Sequence, residues 1–203
     1  MAEMKKLKDS GKVKYLGLSE CSAETLKRAY EVEHIDAVQI EYSPFSMDIE
    51  DPSIKLLQTC RDLGVATVAY SPLGRGFLTG GIRSPDDFEE GDFRRLAPRF
   101  SPENFHKNLE LVDALKSLAD KKSCTTGQLV LAFLMAQGDD IIPIPGTTKE
   151  KNFEENIGSL KVKISPEDNQ AIRKAIESVE VQGGRYPPAF AKALFVDTVP
   201  LKE

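Results

Sequence analysis

Two loops rich in glycine, hydroxyl and basic residues follow apolar runs, and loops of this kind suit an anionic ligand. Residues 69–76 (AYSPLGRG) follow the apolar residues 65–68, and residues 145–149 (PGTTK) follow residues 141–144. Free backbone N–H groups, hydroxyl donors and a cation in such loops bind phosphate groups. If both apolar runs are parallel strands, the two loops lie at the same edge of one sheet. The pattern therefore predicts one extended, phosphate-bearing ligand across both loops.

Four continuous apolar runs predict the strands that position these loops. They cover residues 13–18, 37–41, 65–70 and 141–145. Runs without polar alternation are typical of parallel strands that are covered on both faces. Amphipathic helical segments separate the runs, so we expect an α/β fold of four βα units. A complete (β/α)8 barrel has eight such units, and no further segment has the pattern of a strand.

Capping residues mark the helices between and after the strands. Ser22 is expected to cap the first helix, and Pro52 and Gly64 are expected to open and close the second. Ser165 is expected to cap the last helix, with Asp168 as the acidic residue of its first turn. The remaining helices are predicted over residues 105–121, 125–137 and 149–160.

Two segments lack a regular pattern. The connection of residues 74–104 is rich in Gly, Asp, Arg and Pro, and it is predicted to be a functional lid or a disordered segment. The tail of residues 183–203 contains several prolines and is predicted to run irregularly over a surface. The chain as a whole, residues 1–203, is predicted to be a single domain.

The composition argues against several classes of function. The 203 residues carry a net charge of −5, whereas nucleic-acid binders cluster Lys and Arg on one face. The cysteines Cys21, Cys60 and Cys124 lie far apart in sequence, as is typical of reduced thiols. The sequence has no run of about 20 apolar residues that would span a membrane, and its start does not resemble a secretory signal. We therefore expect a cytoplasmic protein, and we find no spacing that predicts a metal site.

Four short motifs stand in the order and at the spacing found in one enzyme family. They are residues 11–19 (GKVKYLGLS), 38–44 (VQIEYSP), 70–76 (YSPLGRG) and 144–149 (IPGTTK), followed by Glu155 and Asn156. Together they resemble the C-terminal half of an aldo-keto reductase, and the resemblance covers nearly the whole chain. It implies a TIM-type (β/α) barrel, of which this chain holds the last four βα units and the C-terminal helices while the N-terminal half is absent. The cofactor that it implies is NADP(H), bound in an extended form.

The resemblance also implies a role for each part of the cofactor site. Ser19 and Gln39 match residues that hydrogen-bond the nicotinamide carboxamide, and Tyr70 matches the aromatic residue that stacks under the nicotinamide ring. Residues 71–81 match the strap over the pyrophosphate, and residues 146–149 match the segment that receives the adenosine 2′-phosphate. The implied cofactor-binding residues, including the pair at the adenine end, are Ser19, Gln39, Tyr70, Ser71, Pro72, Leu73, Gly74, Arg75, Gly76, Gly81, Ile144, Gly146, Thr147, Thr148, Lys149, Asn152, Glu155 and Asn156.

Charge and two departures from the family pattern bear on the choice of cofactor. Lys149 lies near a predicted helix N-terminus, which favours a dianionic phosphate and therefore NADP(H) over NAD(H). Asn152 stands where the family often has Arg, so Lys149 and Lys151 must carry the 2′-phosphate. Glu20 stands where the family often has Asn, and it brings a negative charge near the cofactor.

The family's catalytic Asp, Tyr, Lys and His lie in the first half of the barrel, and no residue of this chain matches them. Tyr70 is already assigned to stacking, and His34 and His106 are expected to be structural. We therefore predict no catalytic residue, and we expect the chain alone to reduce carbonyl compounds weakly or not at all.

Three hypotheses follow for the function. The first is an NADPH-dependent reductase of a small aldehyde or ketone, or the cofactor-binding half of one. The second is a non-enzymatic NADP-binding or interaction module, and the third is a truncated product without function. A half-barrel leaves two sheet edges and apolar faces open, so a homo-oligomer or a partner half-barrel is expected. Gln39 is expected to be a buried amide that needs partners, and Glu41 to form an ion pair or to take part in catalysis.

Overall fold

The computed structural model describes residues 1–199, so the last four residues of the predicted tail, 200–203, lie outside the described residues. Its centre is a parallel sheet whose four strands are paired in chain order. This sheet confirms the predicted α/β fold. The strands are β1 Gly17–Ser19, β2 Ala37–Glu41, β3 Ala66–Tyr70 and β4 Ile141–Pro143.

Eight α-helices and six 3-10 helices connect and follow the strands. The α-helices are α1 Ala2–Asp9, α2 Ala23–Val32, α3 Leu56–Leu63, α4 Pro102–Lys121, α5 Thr126–Met135, α6 Glu150–Gly158, α7 Pro166–Ser178 and α8 Pro188–Ala191. The 3-10 helices are Asp48–Glu50, Phe77–Thr79, Pro85–Asp87, Phe93–Leu96, Pro98–Phe100 and Ser159–Lys161. These counts refer to residues 1–199.

Most of the predicted caps are confirmed. The Ser22 hydroxyl accepts a hydrogen bond from the Thr25 amide at the start of α2. Ser165 and Asp168 form a reciprocal capping box at the start of α7. Gly64 ends α3 in the left-handed conformation, with φ of 68°, which glycine adopts without strain.

The predicted start of the second helix at Pro52 is wrong. The Asp51 carboxylate accepts a hydrogen bond from the Ser53 amide, at 2.7 Å, and this contact folds the segment into a turn. Lys55 then takes a positive φ of 56°, and α3 begins only at Leu56.

Strand β2 has the predicted bounds, whereas β1, β3 and β4 are shorter than their apolar runs. Helices cover one face of the sheet, and the other face is open along the row of Gln39. The prediction of a sheet buried on both faces is therefore wrong for the described residues. Ser19 pairs in register with Gln39, and Gln39 with Val68, and Val68 with Ile142. Along this row Ser19, Gln39 and Ile142 are exposed, so the predicted buried amide of Gln39 is also wrong. Helices cover the opposite face, where Val38, Thr67 and Ile141 are buried.

The long connection after β3 is ordered by aromatic packing. Phe77, Phe88, Phe100 and Phe105 are buried together, and the rings of Phe77 and Phe105 meet edge to face with centroids 5.2 Å apart. The prediction of a disordered segment is therefore wrong. The apolar residues are spaced irregularly in sequence, which is why no helical pattern revealed this cluster.

The tail also departs from its prediction, since it contains the short helix α8 from Pro188 to Ala191. Proline at the first helical position has a preset φ and lacks an N–H group that would be unpaired there. Further along, the Thr198 amide donates to the Thr25 hydroxyl, so the tail reaches the N-terminal end of α2. Within residues 1–199, no helix is long and apolar enough to cross a membrane.

Candidate functional site

The two loops that the sequence singles out form the walls of one groove. The groove has a volume of about 750 Å³, within the usual range of small-molecule sites. Of the predicted residues, those that line it are Ser71, Pro72, Leu73, Arg75, Gly76, Gly81, Gly146, Thr147, Lys149, Asn152, Glu155 and Asn156. Thr79 and Pro145, which belong to the two predicted loops, also line it, and Ile82 and Arg94 complete the lining, although the sequence did not single out these last two.

The wall after β3 is a tight series of turns. The Gly74 amide donates to the Ser71 carbonyl, and the Gly76 amide to the Leu73 carbonyl, at 2.9 and 3.0 Å. Ser71 and Arg75 both have a positive φ, which is uncommon outside glycine and concentrates at functional sites. Gly74 does not line the groove. A Cβ at this position would lie 3.0 Å from the Leu78 side chain. The role of Gly74 is to let the turn pack closely.

The wall after β4 leads directly into α6. The Lys149 amide donates to the Thr147 hydroxyl at 3.0 Å, and Lys149 is the N-cap residue of α6. The positive end of the helix dipole and the Lys149 side chain thus bear on the same end of the groove. Within residues 1–199, Lys149 takes part in no ion pair. Ile144 and Thr148 are exposed but do not line the groove.

Glu155 and Asn156 are fixed by contacts behind the groove. The Thr125 hydroxyl donates to the Glu155 carboxylate at 2.7 Å, and the Ser159 hydroxyl donates to the Asn156 carbonyl at 2.6 Å. Both side chains therefore lie on a helix that α5 and the following turn hold in place.

Ser19, Gln39 and Tyr70 lie outside the groove. Ser19 and Tyr70 are the last residues of β1 and β3, and Gln39 is the middle residue of β2. Ser19 and Gln39 are paired across the sheet and exposed on its open face. Tyr70 lies on the same face and is the residue before Ser71, with which the groove begins. The predicted residues thus form two adjoining groups, a groove and a set of strand ends.

The Tyr70 hydroxyl is held from two sides. It donates to the Glu20 carboxylate at 2.5 Å, and the Tyr186 hydroxyl lies 3.1 Å away. Burial raises the pKa of Tyr70 above its ordinary value, and the hydrogen bonds to Glu20 and Tyr186 raise it further. Tyr70 therefore stays protonated at neutral pH.

A buried cluster of charges lies beside these strand ends, and we name Glu41, Arg75, Arg99 and Arg185 the strand-end cluster. Glu41 is 2% exposed, and its carboxylate lies 3.4 Å from the Arg75 guanidinium, 3.8 Å from Arg99 and 3.5 Å from Arg185. The expectation that Glu41 forms an ion pair is confirmed. Burial lowers the pKa of Arg99 to about 10.

Arg75 belongs both to the groove and to the strand-end cluster, which the sequence did not reveal. Its backbone is part of the groove wall, yet its guanidinium faces Glu41 and stacks over the Tyr186 ring at 4.6 Å. One of its terminal nitrogens, Nη1, is buried without a hydrogen-bond partner among the described residues. Arg99 and Arg185 were missed because no local pattern marks an arginine that pairs across so many residues.

Two further expectations concern cysteine and metal chemistry. Cys21 is buried, and burial raises the pKa of its thiol to about 11, so it is not a reactive thiolate at neutral pH. Among residues 1–199, no group of three His, Cys, Asp or Glu side chains is arranged to hold a metal ion.

The chain is similar to known oxidoreductases over most of its length. The model of the aldo/keto reductase family matches residues 1–177. An aldo-keto reductase of Schizosaccharomyces pombe, whose name includes NADP(+), is 54% identical over 201 residues, which are 99% of this chain and 59% of that protein. The aldo-keto reductase str7 of Strobilurus tenacellus is 56% identical over 185 residues, 91% of this chain and 54% of that protein.

The chain is also similar in fold to a solved structure. The glycerol dehydrogenase of Gluconobacter oxydans superposes with a TM-score of 0.77 at 25% sequence identity, over 89% of this chain and 54% of that one. The chain thus spans only a little over half the length of the relatives that it matches.

Proposed function

The chain belongs to the aldo/keto reductase family, and from this premise we propose that it forms the NADP(H)-binding part of a carbonyl reductase. The reaction of such an enzyme is reduction of a small aldehyde or ketone to the alcohol. The observation that carries this proposal is the groove, because it joins the loop after β3 to the loop after β4 in one cavity.

The chemistry of the groove fits a dinucleotide with an extra phosphate. Hydroxyl donors from Ser71 and Thr147 and the cation of Lys149 lie along one cavity. Within residues 1–199, Arg75 and Arg94 are paired with Glu41 and Asp92, whereas Lys149 has no such partner. Lys149 at a helix N-terminus therefore suits the 2′-phosphate, the group that distinguishes NADP(H) from NAD(H).

At the strand ends, Ser19 and Gln39 are proposed to hold the carboxamide of the nicotinamide, and Tyr70 to support its ring. Ser19 and Gln39 are exposed on the open face, so their polar groups are available to a ligand, and the half-buried Tyr70 lies on the same face. NADPH, when bound, would supply the hydride. Pro72, which is buried, and Leu73 shape the strap between the two ends of the site.

Titration calorimetry with NADPH and NADH tests the cofactor proposal. We expect saturable binding of NADPH and weaker binding of NADH. Lys149→Ala is expected to weaken NADPH binding about tenfold or more, since a charge-assisted hydrogen bond to phosphate is lost. Lys163→Ala is the matched control, because Lys163 is exposed and does not line the groove. Absence of NADPH binding, or equal loss in both variants, would contradict the proposal.

We further propose that the chain alone lacks a proton donor for the reaction. The Tyr70 hydroxyl is engaged by Glu20 and Tyr186, and its raised pKa opposes proton release. Oxidation of NADPH by the purified chain in the presence of an aldehyde is therefore expected to be slow or undetectable. Rapid, aldehyde-dependent oxidation would refute this part of the proposal.

A second candidate function, as an assembly module, rests on one open apolar face. Helix α6 has no buried residue, and Phe153, Ile157 and Leu160 are exposed and line one surface with Pro143 and Pro145 at the β4 edge. A patch of this kind on a soluble protein marks an interface. We propose that a second half-barrel covers it, which for the isolated chain is a second copy.

Light scattering at micromolar concentration tests this assembly. We expect the wild-type chain to form a dimer or a larger particle. Phe153→Glu is expected to lower the measured particle mass toward that of the monomer. Leu96→Glu serves as the control, because Leu96 is also exposed, at 67% against 58% for Phe153, but lies on the connection after β3. A stable monomer of the wild-type chain would count against a second copy.

A further inference from the structure

The tail segment of residues 182–186, which we name the tail clamp, is fixed against the body of the protein. Asn108 is fully buried, and its side chain bonds both the carbonyl and the amide of Gln182, at 2.9 and 2.8 Å. The Arg99 amide donates to the Gly184 carbonyl at 3.3 Å. Gly183 has a φ of +80°, and a Cβ there would lie 2.6 Å from the Arg99 amide nitrogen. Only glycine fits this crossing.

The clamp delivers Arg185 between two strand ends. Its side chain is 5% exposed, and Nη1 lies 3.4 Å from the Glu20 carboxylate and 3.5 Å from Glu41. Glu20 follows β1 with a positive φ of 49°, a conformation that costs free energy unless the surroundings hold it. Arg185 therefore helps to fix the Glu20 carboxylate.

The same clamp delivers Tyr186 to Tyr70. Their hydroxyl groups are 3.1 Å apart, and the Tyr186 ring is packed under the Arg75 guanidinium. The Tyr70 hydroxyl thus has one partner from the tail and one, Glu20, that the tail holds through Arg185. The tail controls both contacts of this hydroxyl.

We propose that Arg185 and Tyr186 are positioning residues that set the orientation of the Tyr70 ring and thereby the affinity for the nicotinamide end of NADPH. This inference rests on the proposed function, since it takes Tyr70 as the support of the nicotinamide ring. Residues of the tail, which are distant in sequence from the groove loops, then act on one end of the cofactor only. The adenine and 2′-phosphate end, which is bound beyond Ser71, is independent of the clamp.

Tyr186→Phe tests this inference with little disturbance, because it deletes one hydroxyl and keeps the ring under Arg75. We expect NADPH binding to weaken about threefold to tenfold, the effect of one hydrogen bond. Binding of 2′,5′-ADP, which lacks the nicotinamide, is expected to stay unchanged. Tyr15→Phe is the matched control, because Tyr15 is 76% exposed. Equal weakening of both ligands, or of neither, overturns the inference.

A measurement without ligand separates this inference from the proposed function. In ¹³C-tyrosine NMR spectra, the Tyr70 signal is assigned by its loss in Tyr70→Phe. Tyr186→Phe is expected to shift that signal and to speed ring flipping, while Tyr15→Phe leaves it in place. If the wild-type chain binds neither NADPH nor 2′,5′-ADP, the cofactor proposal fails, and the inference on the nicotinamide end fails with it. An unmoved Tyr70 signal in Tyr186→Phe overturns the positioning role even if both ligands bind.

Discussion

The groove and the strand-end cluster lie side by side at the same edge of the sheet, yet they are built in opposite ways. The groove is open and polar, and its residues come from two short stretches of chain, 71–82 and 145–156, with Arg94 added. The strand-end cluster is buried, and its members lie at positions 41, 75, 99 and 185. The groove is an open surface on which we propose that a ligand binds, whereas the cluster connects distant parts of the chain through buried ion pairs.

This difference determines how each region responds to substitution. In the groove only Pro72 is buried, so a substitution elsewhere in it is expected to change ligand affinity and to spare the fold. In the strand-end cluster one carboxylate faces three guanidinium groups. Removing a member leaves buried charge without compensation, which costs far more free energy than loss of an exposed pair.

The largest expected effect is that of Glu41→Gln. The substitution leaves the buried Arg99 and Arg185 and the partly buried Arg75 without their shared carboxylate, so we expect the free energy of unfolding to fall by about 3–5 kcal/mol. Urea denaturation followed by circular dichroism measures this loss.

Glu155→Gln is the matched change in the groove, where the carboxylate is only partly buried. It weakens one hydrogen bond from the Thr125 hydroxyl, so a loss below about 1 kcal/mol is expected. Equal losses in the two variants would remove the distinction between groove and cluster.

The same contrast explains what could be predicted from the sequence. The loops after β3 and β4 were recognisable because each follows an apolar strand and consists of consecutive residues, so that their position at one edge of the sheet could be predicted from local pattern. The order of the four strands followed from the βα alternation. The caps Ser22 and Ser165 were found because capping acts over three residues.

The rest could not be predicted, because it depends on contacts between distant positions. Nothing near Arg185 in the sequence indicates that it meets Glu20 and Glu41. The continuous apolar runs predicted a sheet covered on both faces, but the residue types of a strand do not show whether another part of the chain covers each face. The exposed amide of Gln39 is the consequence.

A smaller effect is expected from Gly183→Ala in the tail clamp. An alanine would be strained at a φ of +80° and would meet the backbone of Pro98 and Arg99 at 2.6 Å. We expect a loss of about 2–3 kcal/mol, with earlier proteolytic cleavage of the tail.

Gly146→Ala is the corresponding change in the groove. Nothing lies within 4 Å of a Cβ at Gly146, so its free energy of unfolding is expected to change by less than about 0.5 kcal/mol. If Gly183→Ala were as harmless, the tail would not be held by the crossing at Arg99.

The smallest effect concerns the acid sensitivity of the groove wall. The Arg94 guanidinium holds the pKa of Asp92 below its ordinary value of 3.8, with help from the Arg94 amide. Because the folded-state pKa is the lower one, the stabilisation is present above pH 3.8 and is lost as the pH falls through the folded value. Asp92→Asn is therefore expected to cost about 0.5–1 kcal/mol at neutral pH and less at about pH 2, below the ordinary pKa of the carboxyl group.

Urea midpoints at the two pH values measure this convergence, and Asp139→Asn, at an exposed site, controls for the loss of a carboxylate. The Arg94 guanidinium also donates to the Arg75 carbonyl at 2.8 Å, which ties the groove wall to the residue that enters the strand-end cluster. If the Asp92→Asn deficit persisted at low pH, the wall would be stabilised by packing rather than by this ion pair. The groove wall would then resemble the cluster in depending on buried contacts, and substitutions in the groove would be expected to lower the free energy of unfolding as well as ligand affinity.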